Sequence, residues 1–273
     1  MDHKPPDSLG SYDDGFYAEQ APGSERSATA ILPLAFRLSR PTSLVDVGCG
    51  VGTWLQVARE LGVPTVFGVD GDYVRRTGLR VDEHEFQPAD LRVPLPSLAR
   101  RFDMALCVEV AEHLPVGRAQ GLVDDLCALA DVVVFSAAIP GQGGTDHINL
   151  QPQSAWSARF AVNGYQGFDL VRPYVWADPS VDPWYRQNIL VFVNRDCLEL
   201  AARATEMDAA APGLLDVVHP DVLALWVRRA TRPVSTMQAL RLTARAVRRA
   251  AGRRLHATRS SRQASGAEIE GGS

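Results

Sequence analysis

The most reactive side chains of the sequence stand close together at Glu109, Glu112 and His113. If a helical turn begins there, their i, i+3 and i+4 spacing places all three on one face. Two carboxylates and an imidazole would then converge at the rim of the sheet, beyond the carboxyl ends of the strands, where open α/β sheets bind ligands. The alternative is structural: Glu112 favours the helix N-terminus, and His113 packs beneath a ligand.

A second polar segment, residues 139–151, contains three glycines together with Asp146, His147 and Asn149. The glycines allow this loop to fold over a ligand, and the polar side chains can accept protons or form hydrogen bonds. Because the ordinary pKa of an imidazole is about 6.5, much of His147 is neutral near pH 7 and can take a hydroxyl proton. His147 is therefore the first candidate for a catalytic base and His113 the second, whereas a histidine that only caps the next helix is the alternative.

A glycine-rich segment precedes both groups: residues 45–54 read VDVGCGVGTW, with glycines at 48, 50 and 52. Glycines remove every Cβ from the turn, so that the backbone can approach a ligand and a helix N-terminus can face it. A dinucleotide fingerprint has its third glycine three residues after the second, where Thr53 stands in this chain. The spacing therefore disfavours binding of NAD.

This segment resembles the first motif of the class I S-adenosylmethionine-dependent methyltransferases. The resemblance implies that Asp46, Gly48, Cys49 and Gly50 lie against S-adenosylmethionine, with the glycine loop beneath its ribose and methionyl parts. It also implies that Asp70, which ends a second apolar run 22 residues after Gly48, binds the ribose. A carboxylate at that place can accept hydrogen bonds from both ribose hydroxyl groups.

Further matches follow in the same order as in that family. The pair Asp90-Leu91 matches the acidic position that contacts adenine, and Glu109, after the fourth strand, completes the implied cofactor set. The Glu-x-x-Glu-His pattern also occurs in ubiquinone-pathway O-methyltransferases and small-RNA 3′-terminal 2′-O-methyltransferases, where these residues bind a divalent metal. The resemblance thus implies Glu109, Glu112 and His113 as metal ligands. Oxygen and imidazole ligands are compatible with magnesium, manganese or zinc, and such a metal would orient a substrate diol and lower the pKa of its hydroxyl group.

The elements that would position these residues alternate between apolar runs and helical patterns. The pattern predicts an α/β fold with a doubly wound, seven-stranded, mostly parallel sheet of the Rossmann-like methyltransferase type and a C-terminal helical extension. We predict strands near 43–47, 65–69, 84–87, 103–108, 131–137, 168–175 and 188–194. We predict helices near 24–38, 53–61, 71–78, 116–129 and 152–163. The last two strands, separated by residues 177–183, are expected to form an antiparallel hairpin.

Four segments are expected along the chain: an N-terminal lid and helix (1–39), the S-adenosylmethionine-binding catalytic domain (40–195), a basic helical extension (196–258) and a disordered tail (259–273). From Arg228 to Arg262 there are eleven arginines and no acidic residue. An amphipathic, basic helix can contact anionic lipid, a phosphorylated substrate or RNA. A solvated helix is the alternative.

Composition limits the class of protein. The chain has 273 residues, of which 46% are hydrophobic, and its net charge is −4. The sequence contains no apolar run of about 18 residues, which a membrane span requires, and its start lacks the pattern of a secretory signal. Four cysteines without Cys-x-x-Cys spacing are typical of reduced thiols. We therefore expect a cytoplasmic location.

The expected function is that of an S-adenosylmethionine-dependent methyltransferase (EC 2.1.1) that methylates an oxygen atom of a small molecule, sugar or glycan in bacterial secondary-metabolite or cell-surface biosynthesis. Two alternatives remain. One is a metal-assisted RNA 2′-O-methyltransferase, although no recognisable RNA-binding fold supports nucleic acid as the partner. The other is a noncatalytic, cofactor-binding partner protein.

Overall fold

A computed structural model of the protein describes residues 14–208 and 215–231. Its sheet has seven strands: β1 (Ser43–Val47), β2 (Thr65–Asp70), β3 (Phe86–Pro88), β4 (Met104–Val108), β5 (Val132–Ser136), β6 (Tyr165–Phe168) and β7 (Leu190–Asn194). The helices are α1 (Asp14–Ala35), α2 (Thr53–Glu60), α3 (Ala119–Leu129), α4 (Gln153–Val162), α5 (Arg172–Val175), α6 (Pro183–Asn188), α7 (Leu198–Met207) and α8 (Pro220–Ala230).

The strand order is β3-β2-β1-β4-β5-β7-β6. Strands β1 to β5 pair in parallel, and β7 pairs antiparallel with both β5 and β6. The order reverses between β1 and β4, and open α/β sheets bind ligands beyond the carboxyl ends of the strands at such a point. The prediction of a seven-stranded, mostly parallel, doubly wound sheet is confirmed.

Each face of the sheet has its own hydrophobic core, because successive side chains of a strand point to opposite faces. Leu44 packs on one face with Leu32 of α1 and Leu55 of α2. Val45 packs on the other face, in the core that contains Leu122 of α3. The centre of the sheet is therefore covered on both sides, and its carboxyl edge is left to the connecting loops.

The strand predicted at 168–175 is wrong. The strand instead covers Tyr165–Phe168, and residues 172–175 form the short helix α5. Pro173 lacks the N–H group that a strand needs and stands where helices accept proline, in the first turn. The ion pair between Asp169 and Arg172, at 2.9 Å, stabilises this turn.

The prediction of a direct hairpin between the last two strands is also wrong in its connection, since α5 and α6 lie between them. The strands do pair antiparallel, with Tyr165 opposite Asn194. The predicted helix 71–78 and the first residues of the helix predicted at 116–129 are short 3-10 turns. Helix α1 begins earlier than predicted, and β3 begins slightly later.

The chain divides into two units between Trp226 and Val227, and every candidate site residue lies in the first. The start of the predicted lid, most of the basic extension and the tail at 259–273 lie outside the described residues. In the part of the chain that the structure describes, no helix is long and apolar enough to cross a membrane.

Candidate active site

The glycine loop connects the end of β1 to the start of α2. Gly48 has φ 85°, a left-handed conformation that side-chain-bearing residues rarely adopt. A Cβ at this position would lie 2.8 Å from Cγ1 of Val110 and closer still to Cγ2. Glycine is therefore required at 48 by both its backbone conformation and its contact with the segment that follows β4.

Asp70, at the end of β2, is tied directly to the glycine loop. Its carboxylate accepts hydrogen bonds from the N–H groups of Gly50 (2.8 Å) and Gly71 (2.6 Å) and from the hydroxyl of Tyr73 (2.8 Å). Burial raises the pKa of Asp70, although these hydrogen bonds act in the opposite direction. A carboxylate held beside a glycine turn is suited to hydroxyl groups of a ligand.

Asp46 is a second buried carboxyl group of this region. Burial, and next the charge of Asp70, raise the pKa of Asp46 to about 8. Two carboxyl groups that are both difficult to ionise favour a cationic ligand, because a nearby positive charge stabilises the ionised forms.

Asp90 and Leu91 follow β3, next to the end of β2. Both oxygens of Asp90 are bound by Arg92, with its Nε at 2.8 Å and its Nη2 at 2.9 Å, and Arg92 lowers the pKa of this exposed carboxyl. Leu91 is buried, and its carbonyl oxygen accepts a hydrogen bond from Arg118 Nε at 3.0 Å. An amino group that approaches Asp90 would compete with Arg92.

Glu109 is the residue directly after β4, with φ 55°. Asn188 Nδ2 donates to its Oε1 at 3.0 Å, and Gln142 Nε2 donates to its Oε2 at 3.3 Å. Burial raises the pKa of Glu109, and the hydrogen bond from Asn188 opposes this shift most strongly. The side chain is thus fixed by two amides that come from distant parts of the sequence.

Glu112 and His113 lie in a 3-10 turn, Ala111–His113, just beyond Glu109. Glu112 is completely buried, and neither of its carboxyl oxygens has a hydrogen-bond partner among the described residues. Burial, and next the neighbouring Glu109, raise the pKa of Glu112 well above its ordinary value. Burial lowers the pKa of His113, so that its neutral form is favoured.

The loop after β5 lies on this turn and brings His147 to it. The N–H groups of Ile148 and Asn149 donate to the carbonyl oxygen of Glu112 at 2.8 and 3.0 Å. Asn149 Nδ2 also donates to the carbonyl oxygen of Ala111 at 3.1 Å. These bonds hold the His147 ring edge-on to His113, with the ring centroids 4.8 Å apart.

Glycine at 144 allows His147 to adopt this position. Gly144 has φ 151°, and a Cβ there would lie 2.6 Å from Cδ2 of His147 and closer still to Cε1 and Nε2. A larger residue at 144 would displace the ring.

The structure brings Glu112, His113 and His147 together, with one potential ligand atom from each within 4.8 Å of the others. Glu109 lies beside this group rather than in it. One carboxylate and two imidazoles match the ligand preferences of zinc, manganese or iron, and three protein ligands leave positions open for substrate. The buried, unpartnered carboxyl of Glu112 fits a cation, so the residues present suit a metal.

The roles of Gln142, Gln187 and Asn188 were not predicted from the sequence. Gln187 and Asn188 end α6, and Ile189 alone separates them from β7, which is antiparallel and therefore starts at the edge where the parallel strands end. A pair of amides just before an antiparallel strand is the one sequence signal that indicates this position.

Comparisons with known proteins agree with this geometry. Residues 17–136 match the family model described as a methyltransferase domain, and the sequence has no significant match among curated proteins. The sugar N-methyltransferase KedS8 from Streptoalloteichus sp. is similar in fold, with 18% identity and a TM-score of 0.54 over 71% of this chain and 97% of that one. The plantazolicin methyltransferase BpumL, solved with S-adenosylhomocysteine, has 13% identity and a TM-score of 0.50 over 70% of this chain and 92% of that one.

The matched family model identifies residues 17–136 as a methyltransferase domain, and the sheet has the strand order of that fold. The methyltransferase domain predicted from the sequence is thereby confirmed.

Proposed function

We propose that the protein transfers the methyl group of S-adenosylmethionine to a hydroxyl group of a sugar or another small molecule. The observation that carries this proposal is the meeting of Glu112, His113 and His147 beyond the ends of β4 and β5. This group adjoins the glycine loop, since Val110 packs against Gly48. A sugar acceptor is supported by the similarity in fold to KedS8, a sugar methyltransferase, although that protein methylates nitrogen.

The cofactor is proposed to lie over the glycine loop. Gly48, Cys49 and Gly50 would support its ribose and methionyl parts, and Asp70 would accept the ribose hydroxyl groups. Asp46 would face the positive charge of the methionyl end, which favours the ionised form of its carboxyl group. Asp90, Leu91 and Glu109 complete the proposed set, with Asp90 and Leu91 on the adenine side.

Methyl transfer needs positioning and deprotonation more than covalent help, because the sulfonium is already electrophilic. The acceptor oxygen attacks the methyl carbon, the carbon–sulfur bond breaks, and its electron pair stays on the sulfur of S-adenosylhomocysteine. The hydroxyl proton passes to His147, or alternatively to His113, whose neutral form burial favours. Either imidazole can accept it only while it is neutral.

A divalent metal is a further proposal for the same group of side chains. Glu112, His113 and His147 would hold it, with Glu109 beside them. When bound, such a metal supplies a lowered pKa for the acceptor hydroxyl and a fixed orientation for a diol. His147 would then act as a ligand rather than a base, so the two roles of His147 are alternatives.

A second acceptor is favoured by the same observation. The 3′-terminal ribose of RNA presents a vicinal diol, as many sugars do, and a metal held by one carboxylate and two imidazoles would orient either diol. Methylation of RNA would then depend on the metal.

The experiment that tests the proposal uses S-adenosylmethionine labelled in its methyl group, incubated with a panel of sugars, RNA and cell extract. Label in a sugar or small-molecule fraction supports the proposal, whereas label in RNA supports the second acceptor. Tight binding of S-adenosylmethionine without transfer to any fraction would identify a noncatalytic, cofactor-binding protein.

A further inference from the structure

Three amide side chains, of which Gln187 and Asn188 are buried and Gln142 is partly buried, form a continuous chain of hydrogen bonds that ends at Glu109. Gln187 Nε2 donates to Gln142 Oε1 (3.1 Å) and to Asn188 Oδ1 (2.9 Å). Asn188 Nδ2 donates to Gln142 Oε1 (3.0 Å) and to Glu109 Oε1 (3.0 Å). Gln142 Nε2 completes the chain with its bond to Glu109 Oε2 (3.3 Å).

Main-chain N–H groups fix the orientation of the amides in this chain of hydrogen bonds. An amide side chain can be turned end for end with little change in shape, so an outside group must decide which end is the oxygen. The N–H of His219 donates to Gln187 Oε1 at 2.9 Å, and the N–H of Ile139 points to Gln142 Oε1 at 3.4 Å. A main-chain N–H can only donate, so both amide oxygens face these donors and the NH₂ groups face onward to Glu109.

The donor at residue 219 belongs to the segment that follows α7, and this segment is itself anchored to the catalytic unit. The His219 ring lies 2.7 Å from the carbonyl oxygen of Trp176, and Asp221 forms an ion pair with Arg186 at 2.8 Å. Gln187 is completely buried and Asn188 nearly so. Turning a buried amide end for end sets its oxygen against acceptors and its NH₂ group against donors. This costs much free energy, because water cannot replace the lost hydrogen bonds.

We propose that Gln142, Gln187 and Asn188 are positioning residues that hold the Glu109 carboxylate at the cofactor, and that the main-chain N–H of residue 219 sets their orientation. This inference rests on the proposed place of Glu109 in the cofactor site. If the inference holds, the main chain at residue 219, after α7, helps to shape the active site.

The test substitutes a residue that does not contact Glu109. In Gln187→Glu the side chain keeps its size and its bond from residue 219, but an ionised carboxylate offers only acceptors to Gln142 and Asn188. Asn188 must then turn its NH₂ group toward residue 187, which places its oxygen against Glu109. Gln153→Glu is the matched control, because Gln153 is also buried and, among the residues that the structure describes, its side chain donates to the main-chain carbonyl oxygen of Gln187, at 3.3 Å, and not to a side chain of the hydrogen-bond chain.

Affinity for S-adenosylmethionine is measured by calorimetry, after thermal unfolding has shown that each variant is folded. We expect Gln187→Glu to weaken binding about tenfold or more, as the loss of a hydrogen bond to a charged group does, and Gln153→Glu to change it less than about twofold. Glu109→Gln should also weaken binding, and Gln187→Glu added to it should have little further effect, since the two act as one unit. If Gln187→Glu does not fold, Gln142→Met, which removes a donor without burying a charge, carries the same expectation.

Three results would overturn the proposal. Wild-type affinity in folded Gln187→Glu, with weakened binding in Glu109→Gln, refutes the role of the hydrogen-bond chain and leaves the proposed place of Glu109 intact. An equal loss in Gln153→Glu, or an undiminished effect of Gln187→Glu in the Glu109→Gln background, shows a general packing defect instead. Unchanged binding in Glu109→Gln overturns the proposed place of Glu109 in the cofactor site, and with it the positioning role of Gln142, Gln187 and Asn188.

Discussion

Substitution of Gly48 by alanine should destabilise the protein far more than the same substitution at a glycine in open space. The left-handed backbone at 48, with φ 85°, disfavours alanine by about 1–2 kcal/mol. Overlap of the new Cβ with Val110 adds about 1–3 kcal/mol, the usual range for an overpacked site. We therefore expect Gly48→Ala to lower the free energy of unfolding by about 2–5 kcal/mol, a large part of the roughly 5–15 kcal/mol of a typical domain.

Gly62 supplies the matched control. It also has a positive φ, 96°, but a Cβ there would meet nothing within 4 Å. Gly62→Ala should therefore lose only the backbone part, about 1–2 kcal/mol. Val110→Ala should partly rescue Gly48→Ala, because it removes the methyl groups that overlap.

The assay is urea unfolding followed by circular dichroism for the single variants and for the double variant Gly48→Ala with Val110→Ala. We expect a favourable coupling of about 1–3 kcal/mol between the two positions. Equal losses at Gly48 and Gly62, or strict additivity between Gly48 and Val110, would refute the close approach of the glycine loop to the segment after β4.

Three other predictions follow from the site. His147→Ala should reduce turnover about 10²–10⁴-fold while the affinity for S-adenosylmethionine changes little. His84 is exposed and distant from His147 in the sequence, so turnover in His84→Ala should match that of the wild type. Equal turnover in both variants at every pH removes His147 from the mechanism. Because the pKa of Asp46 is raised to about 8, the contribution of this group to the stability of the cofactor-free protein should be greatest in acid and fall as pH rises from about 4 to about 8. Asp46→Asn should remove this contribution to the pH dependence in unfolding measurements; an unchanged pH dependence would contradict the burial of an uncompensated carboxyl. Chelation and Glu112→Gln should each abolish metal-dependent transfer, with neither adding to the other; full activity after both would exclude a metal at Glu112, His113 and His147.

The sequence predicts the elements best where one physical signal dominates. Strand β5, Val132–Ser136, is buried along its whole length, so its continuous apolar run identifies it without help from the rest of the chain. The segment 168–175 has a similar apolar character, yet Pro173 and the pairing of Asp169 with Arg172 favour a helical turn. Two local signals compete there, and the strand prediction neglected the missing N–H of proline.

The site residues fall into the same two groups, those with a strong local signal in the sequence and those without one. Asp46, Asp70 and the glycines were predicted because their spacing carries the signal, and Glu112 and His113 because they are neighbours in sequence. The approach of His147 to His113 depends on main-chain bonds between two loops, and the grouping of Gln142 with Asn188 depends on an antiparallel strand. Gln142 and Asn188 lie 46 positions apart, and neither residue type carries a spacing signal, so a single sequence does not reveal that they are in contact.

In the proposed reaction, the group of Glu112, His113 and His147 directs the methyl group of S-adenosylmethionine to an acceptor oxygen. Nuclear magnetic resonance of a product made with ¹³C-methyl S-adenosylmethionine distinguishes the possible acceptor atoms, because the chemical shift of the methyl carbon identifies the atom that carries it. We predict an O-methyl signal that is lost in His147→Ala and retained in His84→Ala. An N-methyl or C-methyl signal, or an O-methyl signal that persists in His147→Ala, would contradict the account.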